Sequence, residues 1–138
     1  MYAKNIWLDA DEAKKKAIFA FNEEYKQFLS YGKTERLVVK EAIEMARKKG
    51  FKDISEFESL KEGDKVFVTN KGKNFLAAVI GKKSIESGMR ILGAHIDSPR
   101  LDIKQNPLYE DTDLAYLDTH YYGGVEKYQW GALPMAMH

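Results

Sequence analysis

Apolar and polar positions change period midway along the chain. Over residues 9–32, "DADEAKKKAIFAFNEEYKQFLSYG", Ala17, Phe21 and Phe28 recur at helical spacing with Ile18, Tyr25 and Leu29 beside them, which predicts a first helix. Asp9 with Glu12 has the pattern of a capping box, acidic side chains suit a helix N-terminus, and Gly32 suits the position just past the end. A second helix is predicted over residues 34–50, "TERLVVKEAIEMARKKG". There Thr34 can cap it, Leu37, Val38, Ala42, Met45 and Ala46 line one face, and Gly50 can end it. Ser55 with Glu58 points to a short capped helical turn, and "EGDK" after it to a turn.

Beyond residue 64 the pattern is that of strands. "KVFVTN" and "NFLAAVIG" are β-rich runs separated by "KGK", a hairpin with Gly72 at its turn. "MRILGAHID", residues 89–97, is an apolar run long enough for a buried strand and short for a helix. Two helices, a hairpin and a buried strand ending at His95 predict an α/β layered domain with N-terminal helices and a mixed sheet. After Pro107 the chain turns rich in tyrosine and acids, with turn signals at "EDTD" and "YYGG", so short strands outside the first core are expected. It closes on the apolar "ALPMAMH", an element-like stretch that suggests a longer protein.

Composition narrows the function classes. With 138 residues, one domain with a real core is the prior. The 22 basic residues nearly balance 21 acidic ones, so no single-sign field argues for nucleic acid or an anionic membrane. No apolar stretch approaches the roughly 20 residues needed to span a bilayer, and the N-terminal "MYAKNIWLDADEAKKK" lacks the apolar region of a secretory signal. There is no cysteine, so disulfides and thiolate zinc sites are excluded, and any metal must take histidine and carboxylate ligands. A reducing cytoplasm is compatible with that usage.

The candidate chemistry lies in "GAHIDSPRLDIK". On a strand, residues two apart share a face, so His95 and Asp97 can serve one site. Open α/β sheets hold ligands beyond the carboxyl ends of their strands. Neutral imidazole is a good zinc ligand, and a carboxylate beside it fixes its tautomer. Ser98-Pro99 then turns the chain, since proline cannot continue a central ladder. On pattern alone the plainer reading, a hydrogen-bonded structural histidine, outweighs this, because one histidine cannot complete a zinc sphere.

The longer run "GAHIDSPRLDIKQNPLYE" resembles the first metal-binding segment of the aspartyl aminopeptidase family of dizinc exopeptidases. "DTHYYGGVEKYQW" is similar to the segment that follows it, especially in a bacterial branch, and the helical beginning and lysine-rich hairpin also match in place. The resemblance implies that His95 binds one of two zinc ions and that Asp97 supports it. It implies a zinc-exopeptidase-like α/β/α domain, with residues 1–108 its N-terminal part and residues 109–138 the start of an inserted domain for oligomerisation and lid formation. It further implies a cytoplasmic aminopeptidase that removes N-terminal amino acids from peptides by attack of metal-bound hydroxide, assembled as a homo-oligomer, commonly of twelve subunits. The family's bridging aspartate, glutamate pair with the general base, further aspartate and second histidine have no counterparts in these 138 residues. The chain alone is therefore expected to lack activity, two ions being needed for the reaction.

Other residues are weighed the same way. Asp118 and His120 form a second pair, but "YYGG" after them reads as strand and turn. Tyr121, Tyr122, Tyr128 and Trp130 suit either an interface or a core. Arg100 and Lys104 suit a substrate carboxylate less well than solvent or a structural ion pair. The basic runs "KKK" at 14–16 and "RKK" at 47–49 are solvated helix faces, the second also suiting a helix C-terminus, and His138 is the last residue. Two rivals stand against the peptidase: a non-catalytic homologue acting as a binding or assembly module, and an unrelated α/β binding domain in which His95 and Asp97 are structural. A sheet that lacks its later strands leaves edges and apolar faces exposed. The isolated chain is thus expected to aggregate in size-exclusion chromatography; a monodisperse monomer with a cooperative melt would contradict this.

Overall fold

The computed structural model describes residues 5–138. Residues 1–4, the start of the stretch read above as lacking a secretory signal, lie outside the described residues. The chain divides into two units, residues 1–94 and 95–138.

In the first unit, helix α1 spans Glu12–Tyr31 and helix α2 Glu35–Lys48. The cap of α1 is Asp11, whose carboxylate accepts the N–H of Lys14 at 2.7 Å. Asp9, expected in that role, instead closes a short 3-10 turn over Ile6–Leu8. Asp11 has the extended backbone (ψ 172°) from which a side chain can reach the free amides of the first turn. Gly32 is the C-cap of α1, one position earlier than expected and without a left-handed φ. Thr34 caps α2 as expected, accepting from the amide of Leu37.

The C-terminus of α2 closes in a Schellman arrangement: the N–H of Gly50 meets the carbonyl of Arg47, and that of Phe51 the carbonyl of Ala46, both at 3.0 Å. The ammonium of Lys65 binds the carbonyl of Lys49 as well, at 3.0 Å. The capping box that follows is Asp53 with Glu56 around a 3-10 turn over Ile54–Glu56, not Ser55 with Glu58. Ser55 serves it by donating its hydroxyl to Asp53 at 2.7 Å, and with its backbone amide it holds the Asp53 carboxyl below the ordinary carboxylate value.

The three-stranded sheet is mixed. Strand β1 (Lys52–Asp53) runs parallel to β2 (Lys65–Asn70), which pairs antiparallel with β3 (Asn74–Val79). The β2–β3 turn holds Lys71 and Gly72 at positive φ, and Arg36 at the start of α2 donates to the carbonyl of Lys71 at 2.9 Å. The core is small. Val38, Val39 and Ala46 of α2 are buried, as are Val66 and Phe67 of β2. Phe75 stacks on Phe67 with centroids 5.8 Å apart, and the Arg47 guanidinium lies over the Phe67 ring.

Residues 88–99 have no regular secondary structure. This corrects the expected strand over 89–97. A strand is held by ladder hydrogen bonds to a neighbour, and among the described residues no strand pairs with this segment. Met89, Ile91 and Leu92 in it are exposed, Leu92 fully.

The second unit is a long hairpin of β4 (Arg100–Asp111) and β5 (Leu114–Tyr122), followed by the single-turn helix α3 (Lys127–Trp130). Thr112 and Asp113 both take left-handed φ, as a two-residue hairpin turn demands, and Tyr109 stacks on its register partner Tyr116. The register slips between Ile103, opposite Thr119, and Leu108, opposite Leu117. Residues 104–107 bulge there against Asp118 alone, which accommodates Pro107 without a ladder donor. The strands expected in this region are present and longer than expected, β4 extending from Arg100 to Asp111 with the bulge inside it.

Replacing Phe67, 2% exposed, by alanine is expected to cost about 3–5 kcal/mol in equilibrium urea unfolding. A loss under about 1 kcal/mol would mean that this side chain is not the centre of the core.

Candidate metal-ligand site

The site is built where the irregular segment 88–99 enters β4 and where β5 ends. Nδ1 of His95 lies 3.0 Å from the backbone carbonyl of Asp97 and 3.2 Å from its carboxylate Oδ1. Both neighbours are acceptors, which puts a hydrogen on Nδ1; in the neutral ring the lone pair then lies on Nε2. The His95 side chain is 84% exposed. Asp97 meets His95 from an irregular loop, not by sharing a strand face, so the expected geometry is corrected while the pairing is found.

The other carboxylate oxygen of Asp97, Oδ2, accepts a hydrogen bond from the hydroxyl of Tyr122 at 2.9 Å. Tyr122 is the last residue of β5, directly opposite Arg100 in the ladder. The Arg100 guanidinium lies over its ring, 4.3 Å from the centroid. Nε of Arg100 in turn donates to Asp102 at 2.8 Å. The Tyr122 hydroxyl is the largest influence holding the Asp97 carboxyl below the ordinary carboxylate value, followed by the Asp97 backbone amide, with His95 adding to both. Asp97 thus carries its negative charge beside the imidazole across the neutral range.

Gly123 makes the junction possible. Its φ of +74° is a left-handed conformation that L side chains rarely adopt, and a Cβ there would lie 3.4 Å from Cα of Pro99. The "SPR" and "YYGG" turns therefore lie against each other, bringing residues 25 apart in sequence to one carboxylate. The hydrophobic and motif patterns singled out both segments separately; the contact of Tyr122 with Asp97 had no local signal.

The remaining candidates lie along the hairpin and the turn after it. Lys104 pairs with Asp118 at 2.9 Å across the bulge, and Arg100 with Asp102, the second of the two fates, solvent or ion pair, expected for them. His120 stands in β5 opposite Asp102 and lines a cavity of about 200 Å³ with Leu101, Lys127 and Trp130. The ammonium of Lys127 lies over the Tyr121 ring at 4.4 Å, while Tyr128 is exposed. His95 offers one nitrogen suited to zinc, but among the described residues no group of three His, Asp or Glu side chains gathers to hold a metal. Among the same residues no helix is long and apolar enough to cross a membrane.

Gly123→Ala is expected to lower the unfolding free energy by about 1–2 kcal/mol, the cost of left-handed backbone. The same change at Gly124, where the added methyl meets nothing within 4 Å, is expected to be nearly neutral. Equal effects in urea unfolding would remove the junction from the account.

Comparison with known proteins places the chain in a family. Residues 28–137 match the family described as Aminopeptidase I zinc metalloprotease (M18). The chain is 54% identical over 139 aligned residues to the "Probable M18 family aminopeptidase 1" of Clostridium acetobutylicum, covering 98% of this chain and 30% of that protein. Among solved structures, aminopeptidase I from Borrelia burgdorferi B31 superposes with a TM-score of 0.87 at 45% identity, over 92% of this chain and 31% of that one. The M18 enzyme of Thermotoga maritima gives 0.82 at 40% identity, over 94% and 28%. The chain spans about 30% of the length of the curated relatives it matches. An unrelated binding domain is thereby excluded, and the chain belongs to the M18 zinc aminopeptidase family.

Proposed function

We propose that these residues form the N-terminal part of a zinc aminopeptidase, with His95 a metal ligand and Asp97 the carboxylate that orients it. The observation that carries this reading is the contact of His95 Nδ1 with Asp97, which leaves Nε2 free. Metal-ligating histidines commonly donate their other N–H to a carboxylate or carbonyl, which fixes the ring and raises its basicity. A pair of zinc ions, when bound, supplies Lewis-acid polarisation of the scissile carbonyl and acidifies water. The work of this chain is local. Asp97 keeps the imidazole in one tautomer and one orientation, and His95 offers one nitrogen to one ion.

The other ligands and the general base belong, on this reading, to the part of the relatives' length that the chain does not span. In the same reading residues 1–108 belong to the peptidase domain and residues 109–138 open the inserted domain. Peptides are the substrates, the protein is cytoplasmic, and it works as a homo-oligomer, a dodecamer by the family resemblance.

The test is His95→Ala in the native gene product, read by metal analysis and by hydrolysis of aminoacyl p-nitroanilides. Loss of bound zinc and a fall in kcat/KM on the order of 100-fold or more are expected. Zinc content and hydrolysis both equal to wild type would remove His95 from the metal site.

A further inference from the structure

The site holds one group that the assignment of His95 and Asp97 does not use. We propose that Tyr122 is a positioning residue for the metal ligand: its hydroxyl holds Asp97, and Asp97 holds His95. The inference rests on the reading of His95 as a ligand and extends it by one residue, from the metal-binding segment to the end of β5.

Three features of the geometry carry it. First, both oxygens of the Asp97 carboxylate are engaged, Oδ1 by the imidazole and Oδ2 by the Tyr122 hydroxyl. Turning about the Cβ–Cγ bond moves both oxygens, so it breaks two hydrogen bonds here where a carboxylate held at one oxygen would lose only one. This matters at Asp97 because its own segment has no ladder to fix it. Second, the tyrosine is itself fixed. Its ring lies beneath the Arg100 guanidinium, and Arg100 is tied to the carboxylate of Asp102. The hydrogen bond thus anchors the irregular loop to a paired strand end. Third, Gly123 leaves β5 in left-handed backbone against Pro99, which keeps the tyrosine beside the loop it serves.

A surface tyrosine without such a role would give its hydroxyl to water. Here the phenol is half-exposed and yet donates to the one carboxylate that faces the imidazole. Carboxylates that orient a metal-bound histidine are themselves normally hydrogen-bonded, and Tyr122 supplies that bond from a different element.

The test uses Tyr122→Phe in the native protein, which removes the hydroxyl and keeps the ring under Arg100. Zinc retention against a chelating dye is measured alongside the thermal melt, kcat and KM. The expected result is zinc affinity weaker by about tenfold or more, the low end of what an outer-shell partner of a metal ligand contributes. KM should stay near wild type and the melting temperature should be preserved. In an Asp97→Asn background the same change should add less than twofold, because Tyr122 acts through Asp97. Wild-type zinc affinity in the phenylalanine variant, or full additivity with Asp97→Asn, would overturn the proposal. If the variant does not fold, the crystal structure of the zinc-loaded wild type decides. A Tyr122 hydroxyl on Asp97 supports positioning, and one beyond hydrogen-bond reach overturns it. Failure of the underlying reading is seen separately, as unchanged zinc content in His95→Ala.

Discussion

The carboxylate of Asp97, held at one oxygen by His95 and at the other by Tyr122, is the interaction on which the second unit's geometry turns. It joins a loop without regular structure to the end of a hydrogen-bonded strand. A loop of that kind has many accessible conformations, and ordering each residue costs roughly 1–2 kcal/mol. Concentrating several contacts on one charged group offsets that cost where it matters, at the residue that faces the imidazole. The group has to be ionised to accept both bonds, and the bonds themselves favour the ionised form. Geometry and charge state therefore reinforce each other.

The first unit follows a different economy. Its order comes from α2, whose buried face packs with β2 and whose two ends are both tied down. Arg36 binds the hairpin turn at one end, and Lys65 binds the terminal carbonyl of Lys49 at the other. Few side chains are fully buried, whereas large apolar ones on α1 and β3, such as Phe21, Leu76 and Val79, remain exposed. For a family in which the relatives are about three times longer, a three-stranded mixed sheet with an apolar outer face is a surface suited to further packing.

What was legible in the sequence divides along the same line. Both long helices, the Thr34 cap, the lysine-rich hairpin and the turns at "EDTD" and "YYGG" were readable because each is decided by residues within a few positions of one another. The capping residues slipped by two at Asp11 and Asp53, since several acidic or hydroxyl side chains stand close together and only backbone conformation selects among them. The strand expected over 89–97 failed for a non-local reason. Its apolar pattern suits a buried strand, but pattern cannot supply the neighbouring strand that would pair with it.

The site shows the same limit from the other side. His95 and Asp97 could be singled out as candidates because a two-residue spacing and the surrounding "GAHIDSPRLD" are local, and the two side chains do meet, though not through the strand geometry invoked for them. Tyr122 could not be found in that way. The distance from Asp97 to Tyr122 along the chain is set by the length of the β4–β5 hairpin, and their meeting in space by its register. The register is in turn altered by a bulge at Lys104–Pro107 that absorbs four residues against one. Shifting the ladder by a single residue would turn Tyr122 to the opposite face of the hairpin. The bulge, the Lys104–Asp118 ion pair across it and the Arg100–Tyr122 pair at its end therefore do more than shape a strand. They set which side chain arrives at Asp97.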